Sequence, residues 1–501
     1  MMNSDPKISR LLDYFSSINK DAYLHEVLLA NDVLAKTPPI VNMLGVYLFG
    51  CEAKKATLFF TVKKLLFFYI KSLAWIFLQF AKKIIFVISR QKFPLEKLSD
   101  KTVFIDTYFL ANQIVKDNNY KESYFPGLTD VLDKLAVNYV YVPKIVNADN
   151  LLVFFKMLRV LKKEKTPVLT EYQLLNCGDF LQLLRFIIIY PYYIIRLILG
   201  LGHKFEDQLA KFSLSAFSGL NCATYFRLLY GKKISYLTAS KIKCISWYEN
   251  QALDKCFYRG LRKASKEISI YGAKLFLWAP PFLNQYVDEQ EIDFGVVPDK
   301  VLVNGSYFWK KEGRVNYQIG PALRYRKLFQ CNIDPSKGED ILVLLPYWEH
   351  EISNILKCLQ DVPCKGVIKL KFHPATNLKK FTGLIDKNFQ VVEGDLYSHF
   401  KTAGIVIGSS TGALVEAASL GIPVINIVNK KQFSYMYFSD FGKGVLWDSA
   451  ATNAELLKLI EKFNYALKNE AEKLAESAVK MRNMFFCEPT EEKIIDAFDL
   501  V

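Results

Sequence analysis

Five histidines (25, 203, 350, 373 and 399) are all the 501-residue sequence contains, and none has H-x-x-x-H or H-E-x-x-H spacing. No D-x-D follows an apolar strand pattern either, so no metal site is expected. The nine cysteines (51, 177, 222, 244, 256, 331, 358, 364 and 487) form no C-x-x-C pair. An odd, scattered set argues against a disulfide framework or zinc cluster and for a reducing compartment. There is no G-x-x-x-x-G-K-[ST] and no G-x-G-x-x-G, which removes support for a P-loop NTPase or a dehydrogenase. The opening MMNSDPKISR lacks a basic stretch followed by an apolar run, so no secretory signal is expected. Fixed-period repeats and low-complexity tracts are missing as well.

What the chain does have is grease and positive charge. Hydrophobic residues make up 51%, aromatics 14% and charged residues 23%, with a formal net charge of +15. That composition suits two or three folded domains with an anionic partner. No zinc-finger, RRM or helix-turn-helix signature accompanies the charge, so nucleic acid is not the expected partner. Two stretches stand out, residues 56–92 and 181–205. Lys63, Lys64, Lys71, Lys82 and Lys83 interrupt the first, leaving no window of the ~20 apolar residues a spanning helix needs. Lysines among Phe, Leu, Ile and Trp suggest a helix in the headgroup plane, its lysines snorkelling to lipid phosphate. In the second, Arg185 and Arg196 bracket an apolar segment, 186–195, that Pro191 is expected to split. A buried helix of a large domain is the other reading of both. The expected location is peripheral, on the cytoplasmic face of an anionic inner membrane.

Residues 1–98 read as helical and membrane-associating. From about residue 100 short β-branched runs alternate with helical patterns: 102–106, 138–142, 167–170, 243–247, 300–304, 340–345, 366–372, 389–392, 404–407 and 423–427. Such alternation predicts parallel sheets covered on both faces. The polar stretch NIDPSKGE, 332–339, reads as a linker. The expected organisation is an α/β chain of two Rossmann-like, doubly wound domains facing a cleft. The first spans 99–335, with an apolar helical insertion around 181–230; the second spans 336–467; helices in 468–501 pack back on the first. Ligand would bind at the carboxyl ends of the strands.

Residues 404–427 read GIVIGSSTGALVEAASLGIPVINI. A strand ends at Gly408, then Ser409, Ser410 and Thr411 open a helix carrying Glu416. One hydroxyl there would be an ordinary N-cap; three together suggest an anion site. The loop also satisfies G-x-S-x-G around Ser410, but a hydrolase elbow needs a later histidine and the last one is His399. Residues 367–377, VIKLKFHPATN, deliver Lys371 and His373 near a strand end that Pro374 terminates. A histidine there can donate to a phosphate or a leaving oxyanion.

These two elements together resemble the nucleotide-binding half of GT-B glycosyltransferases. The His-Pro and Ser-Ser pair resembles transferases of CMP-activated acidic sugars, Kdo and sialic-acid types. The resemblance implies that His373, Ser409, Ser410 and Thr411, with Lys371 nearby, hold the donor phosphate, and that Glu416 binds ribose. It implies a nucleotide-sugar co-substrate in place of a bound cofactor, and a lipid-linked or glycan acceptor. UDP-sugar epimerases and polyol-phosphate polymerases share much of the pattern. In the first domain, KCISWYENQ at 243–251 reads as a strand running into Glu249, the candidate base or nucleophile, beside Asn250 and Gln251. Its alternative is a first-turn Glu stabilised by the helix dipole. With VVPDKVLVNG at 296–305, this segment resembles bacterial surface-carbohydrate biosynthesis proteins. Their Gly-x-x-His turn has no counterpart in 269–281, SIYGAKLFLWAPP, which keeps a non-catalytic assembly protein of the same fold in view. Asn304 and Gly305 close another strand and are candidate cleft residues. Asp106 is either a cleft residue or a solvated strand end.

Overall fold

The computed structural model describes residues 6–37, 58–200, 217, 220–237, 241–264, 267–374, 376–429, 434–438 and 440–501. Runs such as Asp340–Leu345 and Ala403–Gly408, apolar at nearly every position, can be buried only when covered on both faces, and they form parallel strands. The first domain contains β1 (Val103–Asp106), β2 (Tyr108–Leu110), β3 (Tyr139–Tyr141), β4 (Lys144–Val146), β5 (Lys241–Trp247), β6 (Glu267–Lys274), β7 (Lys300–Val303) and β8 (Tyr317–Ile319). Its main sheet has the order β3-β1-β5-β6-β7-β8, every pair parallel, and β2 and β4 form a small parallel sheet beyond it. The second domain contains β9 (Asp340–Leu345), β10 (Ile368–Phe372), β11 (Phe389–Val391), β12 (Ala403–Gly408), β13 (Val424–Ile427) and β14 (Trp447–Ala450), in the order β11-β10-β9-β12-β13-β14. Strand order reverses at β1/β5 and at β9/β12, so each doubly wound sheet has a crevice at that switch point. The molecule is GT-B-like: two Rossmann-like domains with their crevices turned toward a shared cleft.

The short run 167–170 contributes only one bridge, Val168 to Tyr141. Strands β2, β4, β8 and β14 carry too few alternating apolar residues to stand out in the sequence. β8 and β14 are sheet edges, where Gln318, Asp448 and Ser449 can be tolerated.

The helices explain the greasy stretches. They include α1 (Pro6–Ala22), α2 (Leu58–Ser89), α3 (Leu151–Lys163), α4 (Cys177–Gly200), α5 (Leu220–Ser235) and α6 (Ala252–Leu261). Helix α2 buries one face, Phe68, Ser72, Ile76, Gln79, Lys82 and Phe86, at helical spacing. Its other face exposes Val62, Leu66, Ile70, Leu73, Phe77, Phe80, Ile84 and Ile88, with Phe77 73% exposed. Two of its lysines do not snorkel outward. Lys83 donates to the carbonyls of Tyr172 and Leu175, and Lys82 lies 5.7 Å from the Phe154 ring centroid. Lys63 and Lys71 are exposed. By length and composition alone, Val62–Ser89 and Cys177–Leu197 could each cross a membrane.

Pro191 does not split the second stretch: α4 runs continuously through it. An interior proline costs about 3 kcal/mol, and buried Phe186, Ile187, Tyr190 and Ile194 supply the packing that offsets it. Helices α5 and α6 touch backbone to backbone through Gly231 and Gly260. A Cβ on Gly231 would meet Phe257 O at 2.4 Å, and one on Gly260 would meet Leu228 O at 2.2 Å.

In the second domain α7 (Glu349–Cys358) follows β9, α8 (Ala413–Ser419) follows β12 and α9 (Asn453–Asn469) follows β14. The chain then crosses back through α10 (Ala471–Phe485) and α11 (Glu491–Ala497). Ile494, Ala497 and Phe498 join the core cluster that contains Val103, Ile105 and Trp247. Tyr271 donates to Asp499 (2.8 Å), and Lys300 pairs with the same carboxylate.

Candidate active site between the two domains

The domains meet where the segment after β6 faces the loop after β12. Gly412 lies against Leu277, so close that a Cβ would sit 3.1 Å from its Cδ1. The Leu277 N–H donates to the Tyr325 hydroxyl (3.1 Å), and the Phe282 and Tyr435 rings meet edge to face at 4.8 Å. Lys327 and Asp395 add an ion pair at 2.7 Å.

On the first-domain side Glu249 follows the carboxyl end of β5. Trp247 Nε1–H donates to its Oε1 (2.8 Å), and the Gln251 amide donates to its Oε2. The backbone N–H groups of Glu249 and Gln251 both donate to Asp254 Oδ2, at 2.9 and 3.1 Å, closing a capping box at the start of α6. Asp254 is held by Lys144 at 2.6 Å, and Lys144 lies 3.3 Å from Asp106. Asp106 accepts from Arg227 (2.8 Å) and Ser246 (2.7 Å). All of these charges are buried, and two carboxylates balance two cations, which such burial requires. Asp106 is therefore an interior residue beneath the site, not a solvated strand end. Asn250, in the left-handed region at φ +54°, donates to the carbonyls of Asn284 (3.0 Å) and Tyr286 (3.2 Å). Asn284 in turn donates to Glu249 O at 2.7 Å. Burial, and then the nearby Asp254, push the Glu249 carboxyl above its ordinary pKa; the Trp247 hydrogen bond, Lys144 and Arg324 oppose the rise.

Asn304 and Gly305 belong to the C-terminal crossing. Gly305 packs against the carbonyls of Met484 and Phe485, with no room for a side chain. Asn304 is fully buried; neither polar atom of its side chain has a hydrogen-bond partner, while its carbonyl accepts from Cys487 N–H.

On the second-domain side, Ser409 and Ser410 follow β12, and Ser410 adopts φ +49°. Both hydroxyls lie against one carboxylate oxygen, Glu351 Oε1, at 3.1 and 2.6 Å. Ser410 Oγ also accepts from Tyr435 N–H at 3.3 Å. Glu351 is in the first turn of α7, which starts beyond β9, so the switch point brings it to the serines. Burial raises its pKa, against hydrogen bonds from Ser410, Ser434 and Ser409. Thr411 is half-buried at the start of α8. His373 is one strand further over, at the end of β10, with its ring edge-on to Tyr347 at 5.8 Å. Burial there lowers its pKa below the ordinary histidine value. Lys371 is committed elsewhere, to the carbonyl of Gly394 at 2.6 Å. Glu416 accepts from the Tyr397 hydroxyl at 2.6 Å, and burial raises its pKa.

Arg324 acts through its charge on a carboxyl in each half. It is exposed, its guanidinium carbon lies 5.4 Å from the Trp247 ring and 5.5 Å from Tyr124, and its charge depresses the pKa of both Glu249 and Glu416. Neither Arg324 nor Glu351 emerges from the sequence. The only signal for Glu351 is its place just after a strand that turns out to border the switch point, and Arg324 lies in a turn with no motif.

No protein-family model and no curated protein sequence matches the chain. Among solved structures it is similar to the UDP-GlcNAc 2-epimerase of Methanocaldococcus jannaschii bound to UDP-GlcNAc and UDP: 12% identity, 80% of this chain, 100% of that one, TM-score 0.43. It is similar also to Acinetobacter baumannii MurG (12% identity, 80% and 100% covered, TM-score 0.40). A third is the wall teichoic acid polymerase TagF (12% identity, 89% and 98% covered, TM-score 0.38).

Proposed function

We propose that the chain is a metal-independent glycosyltransferase that moves a sugar from a nucleotide donor, CMP-linked and acidic, onto a lipid-linked or lipopolysaccharide-type glycan. The observation that carries this reading is the position of Glu249 after the carboxyl end of β5 and of Glu416 on the helix after β12, with the charge of Arg324 acting on both carboxyls. In the reaction the acceptor hydroxyl loses its proton to Glu249, its oxygen bonds to the anomeric carbon, and the bond to the nucleotide phosphate breaks. A carboxylate whose pKa is raised by burial is a stronger base than an exposed one. The leaving phosphate would be met by His373, by the Ser409–Ser410–Thr411 turn and by Arg324; Glu416 and Tyr397 would receive the ribose. Glu351 orients the two serines by accepting hydrogen bonds from their hydroxyls, which leaves the remaining lone pairs and the backbone N–H groups of the turn for ligands.

The chain would work from the cytoplasmic face of an inner membrane. The buried side of α2 covers the first domain's core with Ser72, Gln79 and Lys82, which suits a helix lying along the bilayer surface better than one threading it. The exposed apolar faces of α2 and α4, including Leu181, Ile188 and Tyr192, would enter the headgroup region near a lipid-borne acceptor.

A panel of CMP-, UDP- and CDP-linked donors, with products read by mass spectrometry in the presence of a chelator, tests the reading. The expected result is transfer from a CMP-sugar that Glu249→Gln lowers by about 100-fold or more, with donor affinity retained. Turnover of a UDP-sugar without transfer would identify an epimerase instead, and full complementation by Glu249→Gln a non-catalytic protein.

A further inference from the structure

A second cavity, of about 540 Å³, lies away from the cleft and is strongly basic. Arg90, Lys92, Lys97, Lys162 and Lys165 line it, and Asp133 is the one carboxylate in its wall. Thr102 and Tyr139, at the amino-terminal ends of β1 and β3, form part of its floor, so it sits at the end of the sheet opposite Glu249. Five cations around one concavity repel one another and focus a positive potential there; a fold keeps such an arrangement at a cost in stability that a bound anion relieves.

The position of the cavity says what the anion is. Arg90 to Lys97 continue directly from α2, and Lys162, at the end of α3, reaches back to the Ser89 carbonyl at 3.3 Å. The apolar ridge of α2 remains exposed as far as Ile88, 66% accessible, two residues before Arg90, or about 3 Å along a helix axis. Acyl chains lying against that ridge would carry their phosphates to the cavity mouth, where a guanidinium fork and mobile ammonium groups suit phosphate oxygens. We propose that this cavity is a headgroup site for an anionic phospholipid, placed so that the ridge and the pocket engage the same leaflet. The inference rests on the reading of α2 and α4 as a membrane face.

Flotation of the full chain with two kinds of vesicle tests it, one of phosphatidylcholine alone and one of equal parts phosphatidylcholine and phosphatidylglycerol. Wild type should partition far more strongly onto the mixed vesicles. Lys92→Glu, Lys97→Glu and Lys162→Glu together should weaken that partition by about 100-fold, leaving binding to phosphatidylcholine and the thermal midpoint as in wild type. The same charge change at exposed Lys379, Lys387 and Lys401 of the second domain should leave partition as it is. Wild-type partition by the cavity variant, or equal losses in the two triple variants, would overturn the headgroup site while leaving the membrane face intact. Failure of wild type to float with either vesicle, or unaltered flotation of Phe77→Glu, Ile84→Glu, would overturn the membrane face itself.

Discussion

Glu249 shows how much of a reactive group's character comes from neighbours of opposing influence. Asp254 organises the backbone beneath it and also repels its charge, while Arg324 and Lys144 attract it. The balance leaves the carboxyl above the ordinary value of about 4.3. Because a base must be ionised to accept a proton, activity should rise with pH through that elevated pKa. Arg324→Gln removes a cation that lowers the pKa of Glu249 and Glu416 alike. The acid limb of the kcat/KM profile should therefore move to higher pH in this variant; a limb that stays in place, or moves down, would separate Arg324 from both carboxylates. The Glu351–serine contacts illustrate the same dependence. A hydroxyl-rich turn reads as an anion cradle, yet two of its hydroxyls are already turned to a buried carboxylate, and what remains for a ligand is their lone pairs and the peptide N–H groups.

Among the elements, α5 and α6 have the tightest fit. Their approach through Gly231 and Gly260 brings the Arg227 guanidinium to 4.1 Å from the Phe257 ring centroid and into contact with Asp106. The charges under Glu249 are thus neutralised from a helix that the sequence presents only as part of a greasy insertion. Gly231→Ala would place a methyl group 2.4 Å from a carbonyl oxygen. It should destabilise the first domain by about 1–3 kcal/mol through forced separation of the helices, measurable as a lower midpoint in urea. A midpoint equal to that of wild type would mean that the helices separate at no cost.

For the whole molecule, the C-terminal crossing ties the two domains by a second strap. Removal of residues 488–501 strips Ile494, Ala497 and Phe498 from the core around β1 and β5, although the segment follows the second domain in sequence. Amide exchange should accelerate in β1 and β5 and stay unchanged in β9 and β12. Equal acceleration in both sheets, or none, would show that the segment is not an integral part of the first core. Gly305, closing β7 against the end of α10, belongs to this strap and not to the cleft wall.

Periodicity and composition were enough to determine the α/β class, most strands of both sheets and the presence of two long apolar helices, because these follow from which residues must be buried along a short stretch of chain. They placed Glu249, His373 and the serine turn at strand ends for the same local reason. Only the tertiary structure decided that Asp106 is an interior counter-ion, that Glu351 accepts hydrogen bonds from both serines, that Lys82 and Lys83 turn inward and that the charge of Arg324 acts on both Glu249 and Glu416. Those outcomes depend on which strand lies beside which and on how closely two backbones approach, and such distances are set by residues tens to hundreds of positions apart.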